Sequence, residues 1–145
     1  MTWNLGFKII IGNEGDMMSE KECIYPENAP KPAGPYSPGI KIGNLFFISG
    51  QTPEKPASAE LVAGDIKEQT RQVMENMKKI IEAAGGSVDD IVKVNAFLKD
   101  MSDFKAFNEV YKSYFNEPYP ARSCVECANP VGALVEVEFT AVLKD

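Results

Sequence analysis

Ala133-Leu134-Val135-Glu136-Val137-Glu138-Phe139-Thr140-Ala141-Val142-Leu143 alternates with a period of two. Successive side chains of a strand point to opposite faces. Ala133, Val135, Val137, Phe139, Ala141 and Leu143 therefore share an apolar face, and Glu136, Glu138 and Thr140 share the other. A face that apolar must be covered by another layer, and the glutamates point away from it. Just upstream, Tyr119-Pro120-Ala121-Arg122-Ser123-Cys124 leads into a second strand over residues 122–128, joined to the last one at Asn129-Pro130.

The covering layer lies further upstream. Asp65 followed three residues on by Glu68 has the form of a capping box, and Ile66, Val73, Met77, Ile80, Ile81 and Ala84 recur at helical spacing until Gly85-Gly86 stops the run. A β-rich run covers residues 91–98. Ser102 is the expected N-cap of a second helix, whose stripe of Phe104, Phe107, Val110, Tyr111, Tyr114 and Phe115 reads as core and which ends at Asn116-Glu117-Pro118. Residues 40–42 and 45–51 read as two strands turned at Gly43-Asn44. Leu45-Phe46-Phe47-Ile48 is apolar throughout, which predicts burial on both faces. The order ββ-α-β-α-ββ describes an α+β sandwich, one sheet with both helices on one face. Its other face is then exposed to water or covered by another chain.

A chain of 145 residues supports one core. Residues 19–145 read as a single domain behind an N-terminal extension over residues 1–18. That extension carries the sole Trp and an apolar patch over residues 7–11, without the basic region or cleavage site of a signal peptide. Two readings of it stand side by side. Translation begins downstream at Met18, making the extension non-native, or a real arm adds an edge strand through Ile9, Ile10 and Ile11. Pro26, Pro30, Pro32, Pro35 and Pro38 make the next segment a loop, since each removes a backbone donor and fixes its own φ.

Fifteen basic against 21 acidic residues give a net charge of −6 with no basic cluster, which argues against a nucleic-acid partner. No apolar run is long enough for a membrane span. Three cysteines and no secretory signal point to a reducing cytoplasm. There is no histidine, so the commonest general base and metal ligand is missing and Glu, Asp, Tyr, Cys and water must carry any chemistry. Cys124 and Cys127 stand three apart on a strand, point to opposite faces and lack a second pair of ligands; neither a metal nor a cofactor is expected.

Arg122 at the mouth of a strand is suited to grip a planar carboxylate through two parallel hydrogen bonds, and Glu136 to hold a water beside it, which points to a small anionic substrate. An inter-subunit ion pair of Arg122 with Glu126 or Glu138 is the plainer alternative. Tyr36, on the stiff turn Gly34-Pro35-Tyr36-Ser37-Pro38-Gly39, serves either as packing or as a pocket wall. Gly50 in Ser49-Gly50-Gln51 allows close approach of backbone to a ligand, while Ser49 and Gln51 have the alternative of satisfying backbone groups at a strand end. Glu138 reads as a solvated strand glutamate.

The ordered blocks Gly34-Pro35-Tyr36-Ser37, Ile48-Ser49-Gly50-Gln51, Ala83-Ala84-Gly85, Asp90-Ile91-Val92-Lys93, Pro120 to Glu126 and Val135-Glu136-Val137-Glu138 resemble the RidA (YjgF-type) family of enamine/imine deaminases, some of whose members carry the older label of translation initiation inhibitor or endoribonuclease. The resemblance runs from about Glu27 to the C-terminus. It implies a chorismate-mutase-like fold with one mixed sheet, assembled as a homotrimer with clefts between subunits. It further implies hydrolysis of 2-imino acids, formed from 2-aminoacrylate or 2-aminocrotonate, to 2-keto acids and ammonia without a cofactor. Arg122 would hold the substrate carboxylate and Glu136 the attacking water, with Tyr36, Ser49, Gly50 and Cys124 lining the pocket. The departures are the N-terminal extension and an Asn129-Pro130 connection one residue shorter than usual. Two other functions compete: a ribonuclease or translation inhibitor, and a regulator that binds 2-keto acids without turnover.

Overall fold

The computed structural model describes residues 20–24, 26, 29 and 31–144. Strands β1 (Glu22–Ile24), β2 (Gly39–Ile42) and β3 (Leu45–Ile48) precede helix α1 (Ile66–Ala83), strand β4 (Ile91–Leu98), helix α2 (Phe104–Tyr111), and strands β5 (Ala121–Glu126) and β6 (Val135–Val142). All six strands form one sheet in the order β1-β2-β3-β6-β4-β5. The pairs are antiparallel except β4 with β5, which run parallel across the α2 crossover. The expected α+β class with one mixed sheet is therefore what the chain adopts, with β1 as an additional edge strand. Three residues are too few to show an alternation, and β1 is held by pairing with β2 alone. The expected edge strand at residues 9–11 lies outside the described residues.

The alternation of β6 decides where the core sits. Val135, Val137, Phe139 and Ala141 are buried against the helices together with Val94, Ala96 and Leu98 of β4 and Phe46 and Ile48 of β3. Helix α1 contributes Ile66, Val73, Met74, Met77, Ile80 and Ile81, one stripe at helical spacing. Full burial of each such side chain stabilises by roughly 1.5–3 kcal/mol, so this layer supplies most of the driving force. The Asp65 carboxylate accepts from the N–H groups of Lys67 at 2.9 Å and Glu68 at 3.1 Å, and Glu68 accepts from the Asp65 N–H at 3.0 Å, completing the expected capping box. Gly85, with φ at +83°, ends α1 in a conformation that side chains with a Cβ avoid.

Two expectations need correction. Ser102 is not the N-cap of the second helix. Asp100 accepts from the Ser102 N–H at 2.8 Å and starts a 3-10 turn over Met101–Asp103 that feeds α2, so the carboxylate two residues earlier takes the capping role. Burial of Leu45 to Ile48 on both faces also fails. Phe46 and Ile48 are buried, whereas Leu45 and Phe47 are 40% and 43% exposed, because the helices cover only one face of the sheet. Leu45 lies opposite both Ile42 and Val142, two further exposed apolar residues, so the uncovered face carries an apolar patch near Phe47. None of the described helices is long and apolar enough to cross a membrane.

Candidate functional site

Beyond β3 the chain continues as Ser49-Gly50-Gln51 and pairs again with β6. The Gln51 N–H donates to Val137 O at 2.8 Å and the Val137 N–H donates to Gln51 O at 3.0 Å. Phe47 lies opposite Thr140 and Gln51 opposite Val137, so four steps along one strand match three along the other. An extra residue of this kind bends the strand and re-aims side chains. Here it brings Gly50 against the Glu136 side chain. A Cβ on Gly50 would overlap the Glu136 carboxylate, so the absence of a side chain is what seats that carboxylate.

Glu136 opens into a cleft of about 950 Å³ that is also lined by Tyr36, Pro38, Ser49, Gly50 and Thr52. The Ser49 hydroxyl donates to Ser37 O at 2.7 Å, and the Ser49 N–H donates to Pro38 O at 3.0 Å. These bonds pin the proline-rich turn and hold Tyr36, 53% exposed, at the rim as a wall rather than as core packing. Ser49 thus does satisfy backbone groups, as does Gln51, whose Nε2 donates to Ser49 O at 3.0 Å. Burial, and secondarily the Glu138 carboxylate on the same face of β6, holds the Glu136 carboxyl above the ordinary glutamate range. Glu138 is not simply solvated. It lies directly opposite Asn95 of β4, and Asn95 Nδ2 donates to its Oε1 at 2.9 Å.

Arg122 occupies the far edge of the sheet. On β5 it lies opposite Val94 of β4, a core-facing residue, and so points to the helix side. Its guanidinium carbon sits 4.6 Å from the centroid of the Tyr111 ring, 5.6 Å from that of Phe107 and 5.7 Å from that of Phe104. Its Nη1 donates to Asn108 Oδ1 at 2.8 Å. Within the chain, Glu126 accepts from the Met101 N–H and Glu138 from Asn95. Among the described residues Arg122 has no salt-bridge partner. Cys124, two residues on and on the same side, is half-buried against the core. Burial pushes its thiol upward while Arg122 opposes that shift, so it is a neutral thiol near pH 7. Cys124 and Cys127 are both free.

The chain therefore brings four of the six expected site residues together (Tyr36, Ser49, Gly50 and Glu136), and the other two, Arg122 and Cys124, stand apart as a pair. Glu136 pairs with Phe97 and Arg122 with Val94, so they lie two strands apart across the sheet and three residues along it, on opposite faces. Strand spacing and rise place their Cα atoms about 14 Å apart. Residues absent from the sequence reading are Asn108 and the aromatic wall of α2. Phe107 and Tyr111 are buried in the core as expected, whereas Phe104 is 38% exposed, and all three rings also face the guanidinium. Their spacing with Asn108, at three, four and seven residues from Phe104, marks one helix face and is the available signal. No group of three or more Cys, Asp or Glu side chains among the described residues is arranged to hold a metal ion.

Residues 26–143 match the protein family described as Endoribonuclease L-PSP. A RutC family protein of Pyrococcus horikoshii is 57% identical over 122 residues, which cover 83% of this chain and 97% of that protein. The 2-iminobutanoate/2-iminopropanoate deaminase of Escherichia coli K12 is 46% identical over 127 residues, covering 85% of this chain and 98% of that protein. The crystal structure of E. coli TdcF with bound serine superposes with a TM-score of 0.80 at 43% identity, covering 86% of this chain and all of that one.

Proposed function

This chain belongs to the RidA (YjgF-type) family, whose matching description is Endoribonuclease L-PSP, and from that premise we propose that it is a hydrolytic deaminase of 2-imino acids. Its substrates are 2-iminopropanoate and 2-iminobutanoate, which arise from the enamines 2-aminoacrylate and 2-aminocrotonate. Water adds to the C=N carbon, the carbinolamine collapses, and a 2-keto acid and ammonia leave. An imine is electrophilic enough that orientation and electrostatics suffice, which fits a chain without histidine. The observation that carries the proposal is the Arg122 guanidinium, half-buried on three aromatic rings and without an ion-pair partner among the described residues. It is a cation waiting for a small carboxylate.

Glu136 takes the complementary role. Seated against Gly50 and held above the ordinary glutamate range, it is better matched to accept a proton from attacking water than an exposed glutamate is. We place both groups in one cleft by assembly. In a homotrimer, Arg122 and Cys124 of one subunit face Tyr36, Ser49, Gly50 and Glu136 of its neighbour, and the apolar patch of Leu45, Phe47 and Val142 is covered.

A second reading, metabolite binding without turnover, draws on the E. coli relative solved with bound serine. One assay separates the two. A pyridoxal-phosphate-dependent serine/threonine dehydratase generates the imine, and 2-keto acid release is followed with and without the protein. Acceleration supports the deaminase; unchanged release alongside saturable binding of 2-ketobutyrate supports the binder and defeats the proposal.

A further inference from the structure

Arg122 is held by groups that carry no charge. Its one hydrogen-bond acceptor among the described residues is the amide oxygen of Asn108, at 2.8 Å, and the rings of Phe104, Phe107 and Tyr111 lie within 6 Å of its guanidinium carbon. In a chain with 21 acidic residues this needs explaining. The acid next to Asn108 in sequence, Glu109, pairs instead with Lys67 of α1. Glu126, on the same strand as Arg122, accepts from the Met101 N–H. An aromatic face attracts a guanidinium through its quadrupole without neutralising it, and an amide oxygen orients it without cancelling its charge.

Tyr111 strengthens the point. Its ring is the nearest of the three to the guanidinium, and its hydroxyl is the one buried side-chain polar atom among the described residues with no hydrogen-bond partner. Leaving a buried hydroxyl unpaired is costly. The packing of this ring beneath Arg122 is kept despite that cost.

We propose that Asn108 is a positioning residue whose neutrality matters: it fixes the rotation of the Arg122 guanidinium while leaving the full positive charge and the remaining N–H donors for the substrate carboxylate. The inference rests on the reading of Arg122 as the carboxylate site and adds to it a requirement for an uncharged acceptor. An aspartate at the same position has nearly the same shape. It would form an internal ion pair with Arg122 and compete with the incoming anion.

The test compares Asn108→Asp and Asn108→Ala with the unaltered full-length protein, using 2-ketobutyrate binding by calorimetry, KM and kcat in the dehydratase-coupled assay, and Tm. A hydrogen bond to a charged group is strong enough that Asn108→Asp is expected to weaken binding and raise KM by about 10-fold or more, while its Tm stays level or rises. Asn108→Ala, which loses the acceptor without adding charge, is expected to be milder, at about threefold in KM, with a lower Tm. A merely structural asparagine gives the reverse order, because aspartate preserves shape and alanine does not. Finding Asn108→Ala worse than Asn108→Asp, or both variants binding like the unaltered protein, overturns the proposal. If the unaltered protein neither binds the keto acid nor turns over the imine, the carboxylate site itself is wrong and the inference falls with it. If Asn108→Asp fails to fold, Asn108→Ala together with Tyr111→Phe decides. Unchanged KM in both then contradicts the cradle, and a raised KM in Asn108→Ala alone supports it.

Discussion

The two edges of the functional surface are built in opposite ways. At the β3–β6 side an acid is held by backbone: an extra residue in the pairing presses Gly50 against Glu136, and burial beside Glu138 raises its pKa. At the β5 edge a cation is held by side chains, three rings and an amide from one face of α2. The two charges do not meet each other, since they lie on opposite faces of the sheet, about 14 Å apart.

Removing the acid is the most severe way to break this pairing. Glu136→Gln is expected to lower kcat by about 100-fold, the lower end of what a positioned base contributes, as measured in the coupled assay. The same variant should be slightly more stable. A folded-state pKa above the ordinary glutamate value means that the native state binds the proton more tightly than the unfolded chain does. Stability is therefore lost as pH rises through the interval between the two values. Glutamine removes that loss, so Tm should rise at neutral pH and match the unaltered protein below the ordinary glutamate pKa. Activity of the unaltered protein should fall as pH drops through the raised value, where the carboxylate gains its proton.

Removing the cation comes next. Arg122→Ala is expected to cost roughly 10- to 100-fold in kcat/KM, and Arg122→Lys to recover little because an ammonium lacks the planar fork. Gly50→Ala sharpens the comparison by moving the acid without deleting it. Displacing a reacting group by a fraction of an ångström is expected to cost about 10-fold in kcat, with Arg122-dependent keto-acid binding retained. Cys124→Ala should be the mildest, within about threefold, because a neutral thiol contributes only wall. Loss of turnover in an intact Cys124→Ala assembly would contradict that assignment.

Much of this was legible in the residues themselves. The alternation through residues 133–143 placed Glu136 and Glu138 on the face away from the core, and the capping box at Asp65 set the start of α1. Both are local patterns with one physical solution. The relation between Arg122 and Glu136 was not legible, because the face on which Arg122 lies depends on β5 pairing in parallel with β4, a non-local choice that no spacing encodes. Asn108 escaped for a different reason. A polar residue within an amphipathic helix reads as solvent-facing, and only the docking of α2 beside β5 turns that face toward Arg122. The exposure of Leu45 and Phe47 reflects the same limit, since an apolar run signals burial without saying which molecule provides the cover.

The most direct measurement is complementation between two inactive chains. Arg122→Ala and Glu136→Gln chains are co-expressed in equal amounts with different tags, the mixed assemblies are isolated, and imine hydrolysis is assayed. If the guanidinium of one subunit works with the carboxylate of its neighbour, about one cleft in three of each isolated mixed trimer contains both intact groups, and a comparable share of activity returns. Mixed assemblies as inactive as either parent would show that the two halves do not meet across subunits, and the account would be wrong at its centre.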